Sequence, residues 1–226
     1  MNVIITGASK GIGYETAVLF AQDKANKVIT ISRTSSIKHF PSTIKHIVFD
    51  LQSDKYETAL LPLILKEFNS IDILINNAGT LINKPFEDLS MEDWKSIYET
   101  NLFAPAKLIK LLIPYMGKQT KAHIVNISSM GGFQGSVKFK GLSAYSSSKA
   151  ALVNLTECLA EEFKEKNIAV NCLALGAVQT EMLTQAFRDY KAPVDAKSMA
   201  EYIAAFSTTA HHFMNGKIIP VSLSTP

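Results

Sequence analysis

Thr6-Gly7-Ala8-Ser9-Lys10-Gly11-Ile12-Gly13, close to the start of the chain, decides the fold. It follows the apolar run Val3-Ile4-Ile5 and opens a helical pattern. Glycine permits a tight turn and lets backbone approach a ligand closely. A helix start adds unpaired N–H groups and the positive end of a dipole. Strand, glycine-rich turn and helix in that order make a cradle for a dinucleotide pyrophosphate. The glycines stand at 7, 11 and 13, which is not the compact Gly-x-Gly-x-x-Gly spacing. A glycine-rich turn that binds nothing is the ordinary alternative. Because the glycine motif follows at once, Val3-Ile4-Ile5 reads as a first strand and not as a signal peptide.

Outward from this turn, short apolar runs alternate with helical patterns. The spacing predicts strands at 2–6, 27–32, 45–49, 71–75, 122–128, 168–173 and 217–221. It predicts helices at 11–23, 54–69, 90–115, 143–166 and 196–207. The runs Val28-Ile29-Thr30-Ile31, Ile71-Asp72-Ile73-Leu74-Ile75 and Ile124-Val125-Asn126-Ile127 are short and β-branched, as buried parallel strands are. Asp72 is the oddity and belongs near its strand's start. The expected fold is α/β: a single Rossmann-type domain over 1–226, a doubly wound parallel sheet with helices on both faces. Its ligands bind outside the carboxyl ends of the strands, where the Pro/Ser/Gly-rich stretches 32–43, 130–143 and 184–195 fall.

Bulk properties narrow the classes. The chain has 226 residues, 47% of them hydrophobic, and a formal charge of +3. Its lysines are scattered, which argues against nucleic acid as a partner. No apolar run reaches the ~18 residues of a membrane span. Cys158 and Cys172, the only cysteines, read as buried reduced thiols of a cytoplasmic protein. The five histidines show no ligand spacing, so no metal is expected. His211 and His212 are expected on opposite sides of a solvated helix end.

The chemistry comes from Tyr145-Ser146-Ser147-Ser148-Lys149. Of seven tyrosines, only Tyr145 has a lysine four positions on. On a helix that spacing puts phenol and ammonium on one face. A free phenol titrates near 10, and a neighbouring cation lowers that value towards the working range. Beside a nicotinamide cofactor this pair suits reversible carbonyl reduction. The spacing alone also arises by chance, so its context matters.

That context resembles the classical short-chain dehydrogenase/reductase family over almost the whole chain. Thr-Gly-x-x-x-Gly-Ile-Gly at 6–13 is similar to the family's opening motif, and Asn76-Asn77-Ala78-Gly79 to its Asn-Asn-Ala-Gly. Trp94 and Asn101 stand where it often has a Trp and its catalytic Asn. Ile127-Ser128-Ser129 resembles the strand end bearing its Ser. Gly176-Ala177-Val178-Gln179-Thr180 resembles the segment that grips the nicotinamide carboxamide. The resemblance implies these roles: Tyr145 protonates the carbonyl oxygen and Lys149 binds the nicotinamide ribose. Ser129 hydrogen-bonds the carbonyl, with Ser128 as runner-up, and Asn101 holds a relay water. Cofactor contacts fall to Gly7, Ser9, Lys10, Gly11, Ile12, Gly13, Asp50, Leu51, Asn77, Ala78, Gly79, Gly176, Val178 and Thr180. Asp50 would accept from the adenine amino group, or it simply caps a turn.

Where an acid would select NAD, the second strand ends in Ser32-Arg33. Arg33 is one of two arginines against 21 lysines in a chain with 23 basic residues. A planar fork suits bidentate phosphate binding, and Lys10 adds charge, so the expected cofactor is NADP(H). A solvated loop Arg is the plain alternative. The expected partners are a small-molecule carbonyl or alcohol and a second copy of the chain, in a homodimer or homotetramer. Leu108, Ile109, Leu111 and Leu112, like Leu152, Val153, Leu155, Leu159 and Phe163, cover wide arcs, and in the resembling family these helices form the dimer interface.

There are departures. Ser129 precedes Tyr145 by 16 positions, more than the family's usual spacing, which suggests an insertion in Gly131–Gly141. Its glycines would permit movement, Phe133 and Phe139 offer apolar contact, and Lys138 and Lys140 would favour an anion at the mouth. Leu175-Gly176 replaces Pro-Gly, which would loosen the turn, and Val221-Ser222-Leu223-Ser224 replaces Asp-Gly-Gly. The segment after Thr180 should form a small lid. Met130, Phe133, Met182, Leu183 and Phe187 are candidates for an apolar pocket, or for lid and core packing. A non-catalytic NADP(H)-binding regulator would be free to lose Tyr145 or Lys149. An extended-branch epimerase would want Gly where Lys10 stands.

Overall fold

A computed structural model describes residues 1–35 and 39–223. Residues 36–38 of the 32–43 stretch, and Ser224, lie outside the described residues. The strands are β1 (Asn2–Thr6), β2 (Lys27–Ser32), β3 (Ile44–Val48), β4 (Ile73–Asn76), β5 (Ala122–Ser129), β6 (Ile168–Leu175), β7 (Val178–Gln179), β8 (Val194–Asp195) and β9 (Ile218–Val221). The helices are α1 (Gly11–Phe20), α2 (Leu61–Leu65), α3 (Met91–Tyr98), α4 (Ala104–Leu112), α5 (Ser143–Glu162), α6 (Glu181–Ala186) and α7 (Ala196–Thr209).

Seven strands form one parallel sheet in the order β3-β2-β1-β4-β5-β6-β9. Alternate residues serve opposite faces, because successive strand side chains point to opposite sides. Val3, Ile5, Ile73, Ile75, Val125 and Ile127 pack with Ala17 and Phe20 of α1 and Ile203 and Phe206 of α7. Ile4, Ile29, Leu74 and Ile124 pack with Ile64 of α2, Leu108 and Leu112 of α4 and Ala160 of α5. The order reverses between β1 and β4, which opens a crevice beyond their carboxyl ends.

Strand positions match the sequence reading to within a residue or two. The fourth strand starts at Ile73 because Asp72 is taken by other work. Its Oδ2 accepts from Asn2 N at 2.7 Å, and its Oδ1 from the Thr120 hydroxyl at 3.1 Å. β7 and β8 form a separate two-stranded ladder, Val178↔Val194 and Gln179↔Asp195, which closes the base of the lid.

The helices differ more. The expected helix 90–115 is α3, a π-type turn over Glu99–Phe103, then α4 and a 3₁₀ turn at Ile113–Tyr115. The expected helix 54–69 is a π-type turn at Tyr56–Leu60 followed by α2. One cause accounts for both breaks. Each wide turn precedes a proline in the next helix's first turn, Pro105 and Pro62. Proline has no N–H to give the carbonyl four residues back, and its ring crowds that carbonyl. The carbonyls displaced in this way are those of Asn101 and Thr58.

Candidate active site

The glycine turn is fixed by what it must clear. Gly7 has φ +68°, and a Cβ there would lie 2.6 Å from Ala78 Cα. At Gly13 a Cβ would collide with the Asn77 side-chain amide and the Gly7 carbonyl. Thr6 ties the two strand ends together, its hydroxyl accepting from Asn77 N at 3.1 Å and Ala78 N at 3.0 Å. Asn77 Nδ2 in turn donates to the Thr6 and Gly7 carbonyls. Lys10 precedes α1 in extended backbone, and its side chain makes no capping bond. The first-turn N–H groups of α1 therefore face the crevice without a side-chain cap.

A cleft of about 490 Å³ runs from this turn to α5. Its walls include the predicted Gly7, Ser9, Lys10, Gly11, Ile12, Ser32, Arg33, Asp50, Leu51, Asn77, Ala78 and Gly79. Ser129, Tyr145, Lys149, Gly176, Val178 and Thr180 line it further along. Gly13 and Asn101 stand behind the wall. This cradle fits a dinucleotide: positive-φ glycines, an uncapped helix start, and polar strand ends on either side of the switch point.

Several of these residues carry second duties. The Ser32 hydroxyl donates to Thr34 O at 2.7 Å and sits 3.4 Å from His46 Nε2, so it braces the turn that presents Arg33. Arg33 itself is exposed on the cleft. Asp50 Oδ1 accepts from Gln52 N at 3.0 Å, and Leu51 is buried in the core beneath. Thr180 caps α6 by accepting from Leu183 N at 3.3 Å.

The chemical end is built on α5 and β5. Tyr145 is half-buried, and the Ser129 hydroxyl faces its phenol closely enough to lower its pKa. Ser129 Oγ also accepts from Gly131 N at 3.1 Å. Ser128, on the other face of the strand, is buried and donates to the Lys149 carbonyl at 3.0 Å, so it is not the residue facing the phenol. Lys149 is 4% exposed, and its Nζ donates to Ile127 O at 2.8 Å. A Cβ on Gly79 would stand 3.4 Å from both Lys149 Nζ and Asn101 Oδ1, so glycine leaves this junction open. Asn101 is fully buried: Oδ1 accepts from Thr80 N at 2.8 Å, and Nδ2 donates to Thr80 O and the Ser148 hydroxyl. Ser148 Oγ donates to Tyr145 O at 2.7 Å, which links Asn101 to the helix that carries the phenol.

Burial raises the Tyr145 phenol above its ordinary value, and the Ser129 hydroxyl offsets this only in part. The expected lowering by Lys149 is not found. The lysine is turned to Ile127 O, and burial itself brings it down to about 8, against a smaller opposing effect of Cys172. Burial lifts the Cys172 thiol to about 12.

Other expectations are corrected. Leu175 does not loosen a turn: it pairs with Val221, and Gly176 N donates to Val221 O at 2.9 Å. Gly131 and Gly132 are buried in a 3₁₀ turn against α5, where a Cβ on Gly132 would lie 2.6 Å from the Lys149 carbonyl carbon. They are packing glycines rather than hinges. Lys138 folds back onto Phe133 O at 2.6 Å and Ser136 Oγ at 3.0 Å, away from the cleft. Of the five apolar candidates, Met130, Met182, Leu183 and Phe187 line the cleft, and Phe133 does not. Phe139, the other apolar contact expected of the 131–141 loop, does, as does Leu142, which no motif flagged. Cys158 is exposed, not buried. His211 is buried and His212 exposed, with their ring centroids 4.1 Å apart in the 3₁₀ turn at Ala210–His212.

The sheet order and the glycine turn are those of a dinucleotide-binding α/β fold, and Ser129, Tyr145 and Lys149 line the same cleft. The family model for short chain dehydrogenase matches residues 1–191, and the chain belongs to the short-chain dehydrogenase/reductase family. It is 32% identical over 190 residues to the 3-oxoacyl-[acyl-carrier-protein] reductase FabG of Chlamydia trachomatis serovar D, covering 80% of this chain and 75% of that protein. It is 35% identical over 187 residues to the 7alpha-hydroxysteroid dehydrogenase of Escherichia coli K12, covering 80% and 72%. Among solved structures, 4-hydroxyisoleucine dehydrogenase complexed with NADH superposes with a TM-score of 0.84 at 25% identity, covering 98% of this chain and 96% of that one. Among the described residues no helix is long and apolar enough to cross a membrane.

Proposed function

We propose that the chain is an NADP(H)-dependent oxidoreductase that reversibly reduces a ketone or aldehyde to an alcohol, with Tyr145 as general acid and base. The observation that carries this reading is the convergence of Ser129, Tyr145 and Lys149 at the end of the cleft opposite the glycine turn. A bound nicotinamide supplies or accepts the hydride. Ser129 orients the carbonyl oxygen through the hydroxyl that also meets the phenol. Tyr145 gives its proton to that oxygen as negative charge develops, and takes it back in oxidation. Its raised pKa keeps it protonated, which suits the acid role in reduction. Lys149 holds a buried positive charge beneath Gly79, which favours charge developing on oxygen. Asn101 fixes the backbone at Thr80 and, through Ser148, the first turn of α5. The carbonyl freed by Pro105 offers an acceptor for a relay water.

The choice of NADP(H) rests on Arg33, exposed on the cleft at the end of β2, where the strand end itself supplies Ser32 and Thr34 and not an acid, the carboxylate of Asp50 coming from the end of neighbouring β3. Lys10 brings a second cation to the same end. The partly exposed Leu111, Val153, Leu155 and Leu159, with Phe103 at 45% exposure, support a homodimer or homotetramer through α4 and α5. Two unpaired cysteines suit a cytoplasmic enzyme. The test is NADPH and NADH oxidation, followed by absorbance, against a panel of ketones and aldehydes. NADPH oxidation with at least one carbonyl is expected. NADPH binding without turnover of any carbonyl would leave a binding protein, and stronger turnover with NADH would remove the cofactor assignment.

A further inference from the structure

Five charged side chains line the cleft among the described residues: Lys10, Arg33, Asp50, Lys149 and Glu181. Four of them stand at the cofactor end. Lys10 is in the glycine turn, and Arg33 and Asp50 follow β2 and β3. Glu181 Oε2 lies 3.6 Å from where a Cβ on Gly11 would be. The fifth, Lys149, is buried and turned to Ile127 O. Beyond Ser129 and Tyr145, the wall is Met130, Phe139, Leu142, Met182, Leu183 and Phe187.

Two of these pack against each other. Phe139 comes from the loop before α5 and Phe187 from the residue after α6, and their rings meet edge to face with centroids 6.4 Å apart. Both sides are held. Asn83 Nδ2 donates to Ala186 O at 3.0 Å, next to Phe187. Lys84 N donates to Gly141 O at 3.1 Å, two residues from Phe139. Gly141 has φ +82° and abuts Asn83, so no other residue fits there without strain. Met182, 37% exposed, borders the same opening.

A carboxylate entering this end would lose water and meet no cation in the wall but the buried Lys149, since the exposed Lys140 and Arg188, which adjoin Phe139 and Phe187, are not among the lining residues; an unpaired charge buried there is costly. An apolar body would instead displace water from two phenyl rings and four aliphatic or thioether side chains. We propose that the substrate is an uncharged carbonyl compound with an apolar body, held between Phe139 and Phe187 with its carbonyl at Ser129 and Tyr145. This rests on the reading of the site given above.

The test measures binding by calorimetry to the protein saturated with NADP⁺, or with NAD⁺ if that is the cofactor bound. The probes are 2-butanone, 2-octanone and 7-oxooctanoate. Each methylene buried raises affinity about fourfold, so 2-octanone should bind at least about tenfold tighter than 2-butanone. The keto acid, of equal length, should bind at least about tenfold more weakly than 2-octanone. Phe139→Ala and Phe187→Ala should each reduce the chain-length preference while leaving the Kd for the dinucleotide unchanged. Phe139→Leu and Phe187→Leu, closer in bulk, serve if the alanine variants do not fold. Equal or tighter binding of the keto acid overturns the proposal, as does the absence of a chain-length preference or of any ketone binding. Binding with the expected preference but no turnover leaves this inference standing and removes the oxidoreductase reading instead.

Discussion

Lys149 should set the alkaline limit of activity. Burial lowers its pKa from the usual 10.5 to about 8, a differential cost of about 3 kcal/mol between charged and neutral forms. At pH 7 roughly nine-tenths of the free enzyme then carries the ammonium, and at pH 9 roughly one-tenth. Since kcat/KM reports the free enzyme, its value for the cofactor should fall about tenfold per pH unit above 8. Tyr145 cannot supply this limb, because burial moves the phenol above its ordinary value. Unfolding cannot supply it either. A lysine whose folded pKa is depressed binds fewer protons folded than unfolded between about pH 8 and 10.5, so its contribution makes folding more favourable as pH rises through that window. Activity and this stability term therefore move in opposite directions. The assay is NADPH oxidation from pH 6 to 10, with thermal melts at each pH. Lys149→Arg, which does not titrate there, should have lower activity at pH 7 but no limb near 8. A flat profile to pH 10, or a limb that persists unchanged in the arginine variant, would refute the reasoning.

Three further outcomes follow from the same contacts. Arg33→Asp should weaken NADPH binding by about 1.5–3 kcal/mol, roughly 10- to 100-fold, and spare NADH; an unchanged ratio of the two Kd values would show that Arg33 does not read the phosphate. His123, buried with Nδ1 bonded to Ser207 O and Nε2 accepting from Asn171, is lowered to about 4 by burial, which exceeds the raising effect of Ser207. Its unfolded form binds the proton first, so about 3 kcal/mol of stability present above pH 6.5 should be lost as pH falls to 4; urea midpoints in wild type and His123→Asn would reveal it as a smaller acid sensitivity in the variant. Pro105→Ala restores the N–H that closes an α-helical bond to Asn101 O. It should leave the melting temperature unchanged or raised while cutting kcat several-fold or more, and full activity in that variant would detach the wide turn from catalysis.

The parts of the site that were legible in the sequence are local. The glycine turn, Asn76-Asn77-Ala78-Gly79 and Tyr145/Lys149 each form within a few residues of chain, so spacing alone conveys their geometry. The strands were legible because buried parallel strands are short and β-branched. What escaped depends on neighbours distant in sequence. Ser128 and Ser129 are chemically identical, and only the strand's pleat decides which one faces the phenol. The effect of Lys149 on Tyr145 was misjudged because its direction depends on burial and on Ile127 O. Leu142 belongs to no motif, and of the loop's two phenylalanines only Phe139 reaches the cleft, a choice made by the packing of the 133–142 loop. The availability of Lys138 depends on whether its ammonium meets solvent or the Phe133 carbonyl, which spacing does not convey. The breaks at Asn101 and Thr58 did leave a signal, a proline four residues later, which the helical periodicity concealed.

The central claim is that Tyr145 moves the proton, and Tyr145→Phe tests it most directly. The variant keeps the ring and loses only the hydroxyl, so dinucleotide affinity measured by fluorescence titration should match wild type. With a carbonyl substrate that wild type turns over, kcat should fall by about 10²–10⁴-fold. Retained cofactor binding with a kcat close to that of wild type would contradict the account.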